Sequence, residues 1–131
     1  MIEWKDDYRI GDAVIDAQHE TWFANINGFL SAKTHAELAL AEMKMYRYTR
    51  QHFKYEETAM KRTGYPYLAE HIAKHNEMLG QLNTLAYRIA DGDLDLAEWR
   101  SFLTDWLLDH IAKEDTKLAK YLRVRDTENC D

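Results

Sequence analysis

His52-Phe53-Lys54-Tyr55-Glu56-Glu57-Thr58-Ala59-Met60-Lys61-Arg62-Thr63-Gly64-Tyr65-Pro66 holds both a helical run and the residues that stop it. No Pro or Gly interrupts the chain from Ala36 to Arg62, and Met43, Tyr46, Phe53 and Met60 are among its apolar positions. The spacing predicts one long helix over that span. Gly64 supplies the left-handed conformation that closes a helix, and Pro66 cannot continue the ladder. Within the run His52 and Glu56 stand four residues apart, so both lie on one helical face.

Ile15, His19, Trp22, Phe23, Ile26 and Leu30 step by three or four and predict a helix before this one. Ser31 to His35 reads as a connection, with Thr34 as N-cap. A third helix is expected to begin near Pro66, a residue suited to a first turn. It carries Leu68, Ile72, His75, Met78, Leu79, Leu82 and Leu85 and ends at Asp91-Gly92-Asp93. Asp95 can cap a fourth helix, with Glu98 completing a pattern like a capping box. That helix holds Trp99, Leu103, Trp106, Leu107, His110 and Ile111 and runs, with a break, toward Tyr121 and Leu122. No segment alternates as a strand does. The fold class is therefore all-α: an up-down-up-down antiparallel four-helix bundle with an irregular N-terminal arm and a short C-terminal helix. The expected divisions are an arm over 1–12, a bundle over 13–123 and a tail over 124–131, all in one domain.

Composition agrees. The 131 residues make one domain's worth of chain, 46% hydrophobic and 31% charged, which argues against disorder. One Pro and five Gly suit long helices. A net charge of −6 without a basic block leaves no footprint for nucleic acid and no polybasic membrane anchor. No run approaches the roughly 18 apolar residues of a spanning helix, and no signal core is visible at the start. Cys130 is the only cysteine, so no internal disulfide can form, which fits a reducing cytoplasm. The expectation is a protein of the cytoplasm, not embedded in a membrane, and a monomer.

Five of the six histidines fall in informative places. His71 and His75 are four apart on the third helix. His110 precedes Glu114 and Asp115 on the fourth, and His19 sits on the apolar stripe of the first. His35 has no partner at helical spacing and reads as a surface residue. A single buried histidine is more often an ordinary core residue, and one His-x-x-x-His pair arises by chance on many helices. The joint pattern is harder to dismiss, because several unpartnered imidazoles and carboxylates in one small core would cost several kcal/mol out of a net stability of about 5–15 kcal/mol. A metal removes that conflict.

Five imidazoles and two carboxylates exceed the four ligands of one structural zinc, and imidazole with carboxylate suits a first-row metal such as iron. Two metals bridged by two carboxylates and one oxygen would each receive three bridging ligands. Three imidazoles then complete a six-coordinate ion, and two leave the other five-coordinate with one open position. Ferritin-like oxidases use more carboxylates, including Glu-x-x-His pairs, which this chain lacks. A donor set rich in neutral imidazole favours a carrier over a strong oxidant.

The residues resemble the hemerythrins, specifically the single-domain bacteriohemerythrins. The likeness runs through Trp4, Ile10-Gly11, Ile15-Asp16-Ala17-Gln18-His19, Asn27, His52 to Glu57, Met60, Tyr65-Pro66, His71, His75, Trp106 to Ile111 and Asp115. The resemblance implies His71, His75 and His110 on one iron, His19 and His52 on the other, and Glu56 and Asp115 as bridges. It implies two iron ions (Fe2+/Fe3+) with a bridging oxo or hydroxo group, and O2 bound as hydroperoxide at the five-coordinate iron. Trp22, Phe23, Trp106, Leu107 and Ile111 are the pocket residues it suggests. Helix geometry alone favours Glu114, four after His110, because residues five apart are about 140° apart on an ideal α-helix. Choosing Asp115 therefore predicts a π-bulge between the two.

The implied function is O2 transport or storage, with delivery to an oxygen-consuming enzyme and no catalysis of its own. The partners are O2 and such an enzyme or a reductant. An oxidase, peroxidase or nitric-oxide-handling enzyme on the same site, a sensor acting through a separate partner, and an iron store are the competing classes.

Overall fold

The computed structural model describes residues 3–128. After a 3-10 turn at Asp6–Tyr8 come α1 (Ala13–Ser31), α2 (His35–Thr63), α3 (Leu68–Asp91) and α4 (Leu96–Asp109). A π-helical turn, His110–Asp115, joins α4 to α5 (Thr116–Glu128), so the fourth arm of the bundle is α4, the π-turn and α5 in line. The four arms form an antiparallel bundle, with α1 against α2 and α4, and α2 against α3 and α5. There is no strand among the described residues, and no helix is long and apolar enough to cross a membrane.

Local chemistry sets the boundaries. Asp12 caps α1 by accepting from the Val14 and Ile15 N–H groups. Thr34 caps α2 in a complete capping box with Glu37, which satisfies two orphan donors at once. The Asp95 carboxylate accepts from the Glu98 N–H at α4. Gly64 and Gly92 close α2 and α3 at φ 68° and 71°, a conformation that costs most residues a Cβ clash. His35 opens α2 and is exposed.

Two boundaries differ from the sequence expectation. Helix α3 begins at Leu68, not at Pro66. The Leu68 N–H donates to the Tyr65 carbonyl at 3.3 Å, so Pro66 occupies the second position of a tight turn, where its fixed φ is equally at home. The segment over 124–128 is helix rather than tail. The Arg125 guanidinium and the Tyr121 hydroxyl both donate to the Thr63 carbonyl, at 2.9 and 2.6 Å, which satisfies an acceptor at the end of α2 and ties α5 to it. Cys130 lies outside the described residues.

The core runs the length of the bundle through Ile15, Ile26, Phe29, Met45, Leu82, Leu85 and Leu103, all fully buried. Each contributes roughly 1.5–3 kcal/mol by leaving water. The N-terminal arm is held by Asp16, whose carboxylate accepts from the Ile10 and Gly11 N–H groups, and by Trp4 and Tyr8 packing on Phe23. Met43 turns outward, half exposed.

One acid in this framework is out of place. Glu42 on α2 is only 7% exposed, and burial lifts its carboxyl to about 7. A carboxyl raised in the fold favours folding while protonated, and that gain is lost as pH rises from 4.5 through about 7. Glu42→Gln is therefore expected to raise unfolding stability by about 1–2 kcal/mol at pH 8 and to leave it nearly unchanged at pH 4. Urea titrations of both proteins at the two pH values check this; an equal gain at both would contradict it.

Candidate metal centre

All seven candidate ligands converge at one level of the bundle. His19 comes from α1, His52 and Glu56 from α2, His71 and His75 from α3, and His110 and Asp115 from the two ends of the π-turn. Each is at most 3% exposed. Their donor atoms fall into two groups, each with all its atoms within 4.8 Å of one another. One group is Glu56, His71, His75, His110 and Asp115; the other is His19, His52, Glu56 and Asp115.

The two carboxylates belong to both groups and divide their oxygens between them. Glu56 Oε1 lies 3.2 Å from His71 Nε2 and 3.0 Å from His75 Nε2, while its Oε2 faces His52 Nε2 at 3.6 Å. Asp115 Oδ1 lies 3.3 Å from His71 Nε2 and 3.2 Å from His110 Nε2, while its Oδ2 is 2.9 Å from His19 Nε2. Most of these approaches are poorly aligned for hydrogen bonding. Nε2 of His19, His52, His75 and His110, both Asp115 oxygens and Glu56 Oε2 are buried without a hydrogen-bond partner. An unsatisfied buried polar group costs about 1–3 kcal/mol, so this many converging in one place suit metal ligation better than an ordinary protein core. Neutral imidazole with carboxylate is a donor set for a first-row divalent metal, and the residues present fit one.

The π-turn settles how the fourth arm reaches this cluster. Hydrogen bonds from i to i+5 widen the turn so that residues five apart share a face, and the Thr116 N–H donates to the Ile111 carbonyl in that pattern. The Thr116 hydroxyl donates to the same carbonyl at 2.9 Å. Asp115 is thereby fully buried beside His110, and Glu114 turns away to pair with Lys74 at 2.8 Å.

Electrostatics keep the donors poised. Burial, with the neighbouring His19, pushes the His52 imidazole down to about 3. Burial, with His110 and His71, pushes His75 to about 2. Burial opposes the His71 imidazolium too, but the adjacent Asp115 and Glu56 carboxylates outweigh it and lift this group to about 9. Burial and the Asp115 charge hold the Glu56 carboxyl well above its usual range. Burial also works against ionised Asp115, yet His110, His19 and His71 hold its carboxyl well below the usual range. These shifts favour a proton held among His71, Glu56 and Asp115, which a metal bound there would displace.

Two supporting residues had no role assigned from sequence. His52 Nδ1–H donates to the Gln18 side-chain oxygen at 2.7 Å, and His75 Nδ1–H donates to Glu57 at 2.9 Å. Each bond fixes the tautomer that aims Nε2 at the cluster. Both partners stand next to a candidate ligand in the chain, Gln18 before His19 and Glu57 after Glu56; that adjacency was the available clue. Gln18→Leu is expected to weaken metal binding about 10–100-fold while the fold persists. A competition titration against a chelator measures it, and unchanged affinity would show that His52 needs no such support.

Aromatic rings enclose the donors. Trp106 stacks on His110 with centroids 4.6 Å apart, and Trp22 lies 5.2 Å from His52. Trp22 is itself fixed by an Nε1–H bond to the Thr49 hydroxyl at 2.9 Å. Leu107 and Ile111 are buried in the core. Phe23 is buried too, with the arm residues Trp4 and Tyr8 among its ring neighbours. Phe53, read from sequence only as a core position, stacks flat on His75 at 3.7 Å.

The sequence profile described as Hemerythrin HHE cation binding domain matches residues 11–122, which contain every one of these donors. This chain belongs to the hemerythrin family. Among hemerythrin relatives, it is 31% identical over 127 residues to a bacteriohemerythrin of Stenotrophomonas maltophilia, covering 95% of this chain and 83% of that protein. It is 32% identical over 125 residues to a bacteriohemerythrin of Pseudomonas aeruginosa, covering 93% and 82%. A solved wild-type hemerythrin crystal structure superposes with a TM-score of 0.82 at 27% identity, covering 92% of this chain and 96% of that one.

Proposed function

We propose that this hemerythrin binds O2 reversibly at a non-haem di-iron centre and acts as an oxygen carrier or store. The carrying observation is the divided carboxylates: Glu56 and Asp115 each turn one oxygen to each donor group. His71, His75 and His110 would hold one iron, His19 and His52 the other, with Glu56 and Asp115 shared. Three imidazoles against two make the donor set asymmetric, so O2 would be held on the side of His19 and His52. The seven residues would hold a di-iron group with an oxo or hydroxo ligand, and the chemistry it would supply is reversible electron transfer to O2.

The chain's own part is to hold that asymmetry and keep it dry. The π-turn presents Asp115, the Gln18 and Glu57 bonds orient two imidazoles, and Trp22, Phe53 and Trp106 keep bulk water away. Water exclusion hinders the proton and anion access that would make oxidation irreversible. Imidazole-rich ligation and the lack of a Glu-x-x-His pair support a binding protein rather than an enzyme. Delivery to an oxygen-consuming enzyme is the role such a store would serve.

An O2 electrode tests this reading. Reduced, iron-loaded protein should take up about one O2 for every two irons and give it back when the solution is purged. Continued consumption of O2 with a reductant would move the protein to the oxidase class.

A further inference from the structure

A surface groove of about 680 Å³ lies between α2 and α3, lined among others by Met43, Tyr46, Arg47, Arg50 and Lys54. Its volume is that of a small-molecule site. Arg47, Arg50 and Lys54 repeat at helical spacing and are exposed, and none of them forms an ion pair among the described residues. Three unpaired cations facing one concavity stand out in a chain of net charge −6. The α3 wall adds Asn76 and Leu79 and no charge, and Glu57 is the one acid in the lining. The groove thus combines cations and amides with an apolar strip of Met43, Tyr46, Phe53 and Leu79.

Its inner end reaches the metal centre's supports. Phe53 stacks on His75 and Glu57 accepts from His75 Nδ1, and both side chains line the groove. A second, smaller cavity of about 190 Å³ abuts His110 and is lined by Glu77, Asp109 and Glu114 against Lys74. Its charge is the opposite, so an anion is directed to the α2–α3 side.

We propose that this groove is a binding site for a small organic anion, a phosphate- or carboxylate-bearing molecule with an aromatic or apolar body. Arg47, Arg50 and Lys54 hold the anionic group, with bidentate guanidinium contacts favoured, and the body lies on Tyr46, Leu79 and the edge of Phe53. The occupant then rests against both side chains that brace His75. The site stands independently of the oxygen-binding reading, because none of its recognition groups is a proposed iron ligand.

Calorimetric titration of the purified protein with phenyl phosphate tests this, with inorganic phosphate and phenol as separate arms. Phenyl phosphate is expected to bind one-to-one with Kd below about 1 mM, at least about tenfold tighter than either fragment. The double variant R47A/R50A, altered only at exposed side chains, should lose about tenfold or more, K54Q should lose less, and K113A on another face should bind as the parent does. No binding of phenyl phosphate, or equal binding by R47A/R50A, would overturn the proposal. Inorganic phosphate binding as tightly as phenyl phosphate would overturn the role of the apolar strip.

Discussion

Asp115→Ala is expected to abolish binding of both proposed irons, not one. Its two oxygens face opposite groups, at 2.9 Å from His19 and 3.2 Å from His110, so one truncation removes a donor from each proposed iron. It also leaves the His71 imidazole without one of the two carboxylates that hold it charged. Iron analysis should fall from about two per chain to well below one, while circular dichroism still reports a helical bundle. Glu114→Ala is the matched control one residue away. It removes only a partly exposed pair with Lys74, an interaction worth about 0–1 kcal/mol, and should keep both irons. Full iron content in Asp115→Ala, or its loss in Glu114→Ala, would reverse the assignment of the bridge.

Removing the metal from the parent protein is expected to lower its melting temperature by about 15 °C or more. The reason is the set of buried polar atoms that face no hydrogen-bond partner: four imidazole Nε2 atoms, both Asp115 oxygens and Glu56 Oε2. Even about 5 kcal/mol of relief out of about 5–15 kcal/mol of net stability moves the transition that far. The metal-free protein should also have a defined pH window. His52 and His75 are held at about 3 and 2, so below about 6.5 the unfolded chain takes up protons that the fold refuses. These two imidazoles lower stability toward acid, while Glu56 and Glu42, both held above the usual carboxylate range, offset that loss down to about pH 4.5. His71 works the other way: held at about 9, it stabilises the metal-free fold at lower pH, and that contribution is lost as pH rises from about 6.5 through 9. Metal-free stability is therefore expected to be greatest at mildly acidic pH, between about 4.5 and 6.5, and to fall on either side. Calorimetry with and without chelator across pH 4–10 tests both statements. A metal-free protein that melts as high as the loaded one would mean the cluster is satisfied without metal.

Most of the fold was readable because its determinants are local. The stripe on α1, the Thr34 cap and the Gly64 and Gly92 stops act within a few residues of themselves. Pro66 misled by two residues because its fixed φ suits the second position of a turn as well as the first turn of a helix, and only the Leu68 to Tyr65 hydrogen bond distinguishes them. The extent of α5 was hidden for a different reason. Arg125 and Tyr121 meet Thr63 about sixty positions earlier in the chain, a contact that no local pattern encodes.

The donor set was legible in the same uneven way. Four-residue spacing exposed His52 with Glu56 and His71 with His75. His110 and Asp115 defeat an α-helical count, and without the family resemblance Glu114 would have been chosen. The structure puts a π-turn there and turns Glu114 out to Lys74. Gln18, Glu57 and Phe53 escaped because their parts depend on which ring faces them across the bundle. An i, i+4 rule describes one helix and is silent about the next.

Reversible O2 binding at a pair of irons held by these seven side chains makes a prediction about both metal content and colour. Iron content together with the visible spectrum tests it most directly, followed as the reduced protein passes from anaerobic buffer to air and back. About two irons per chain and a charge-transfer band that rises in air and vanishes when O2 is withdrawn are the predicted results. Two irons with irreversible passage to a ferric spectrum would contradict carriage, and no iron or a single zinc would contradict the centre itself.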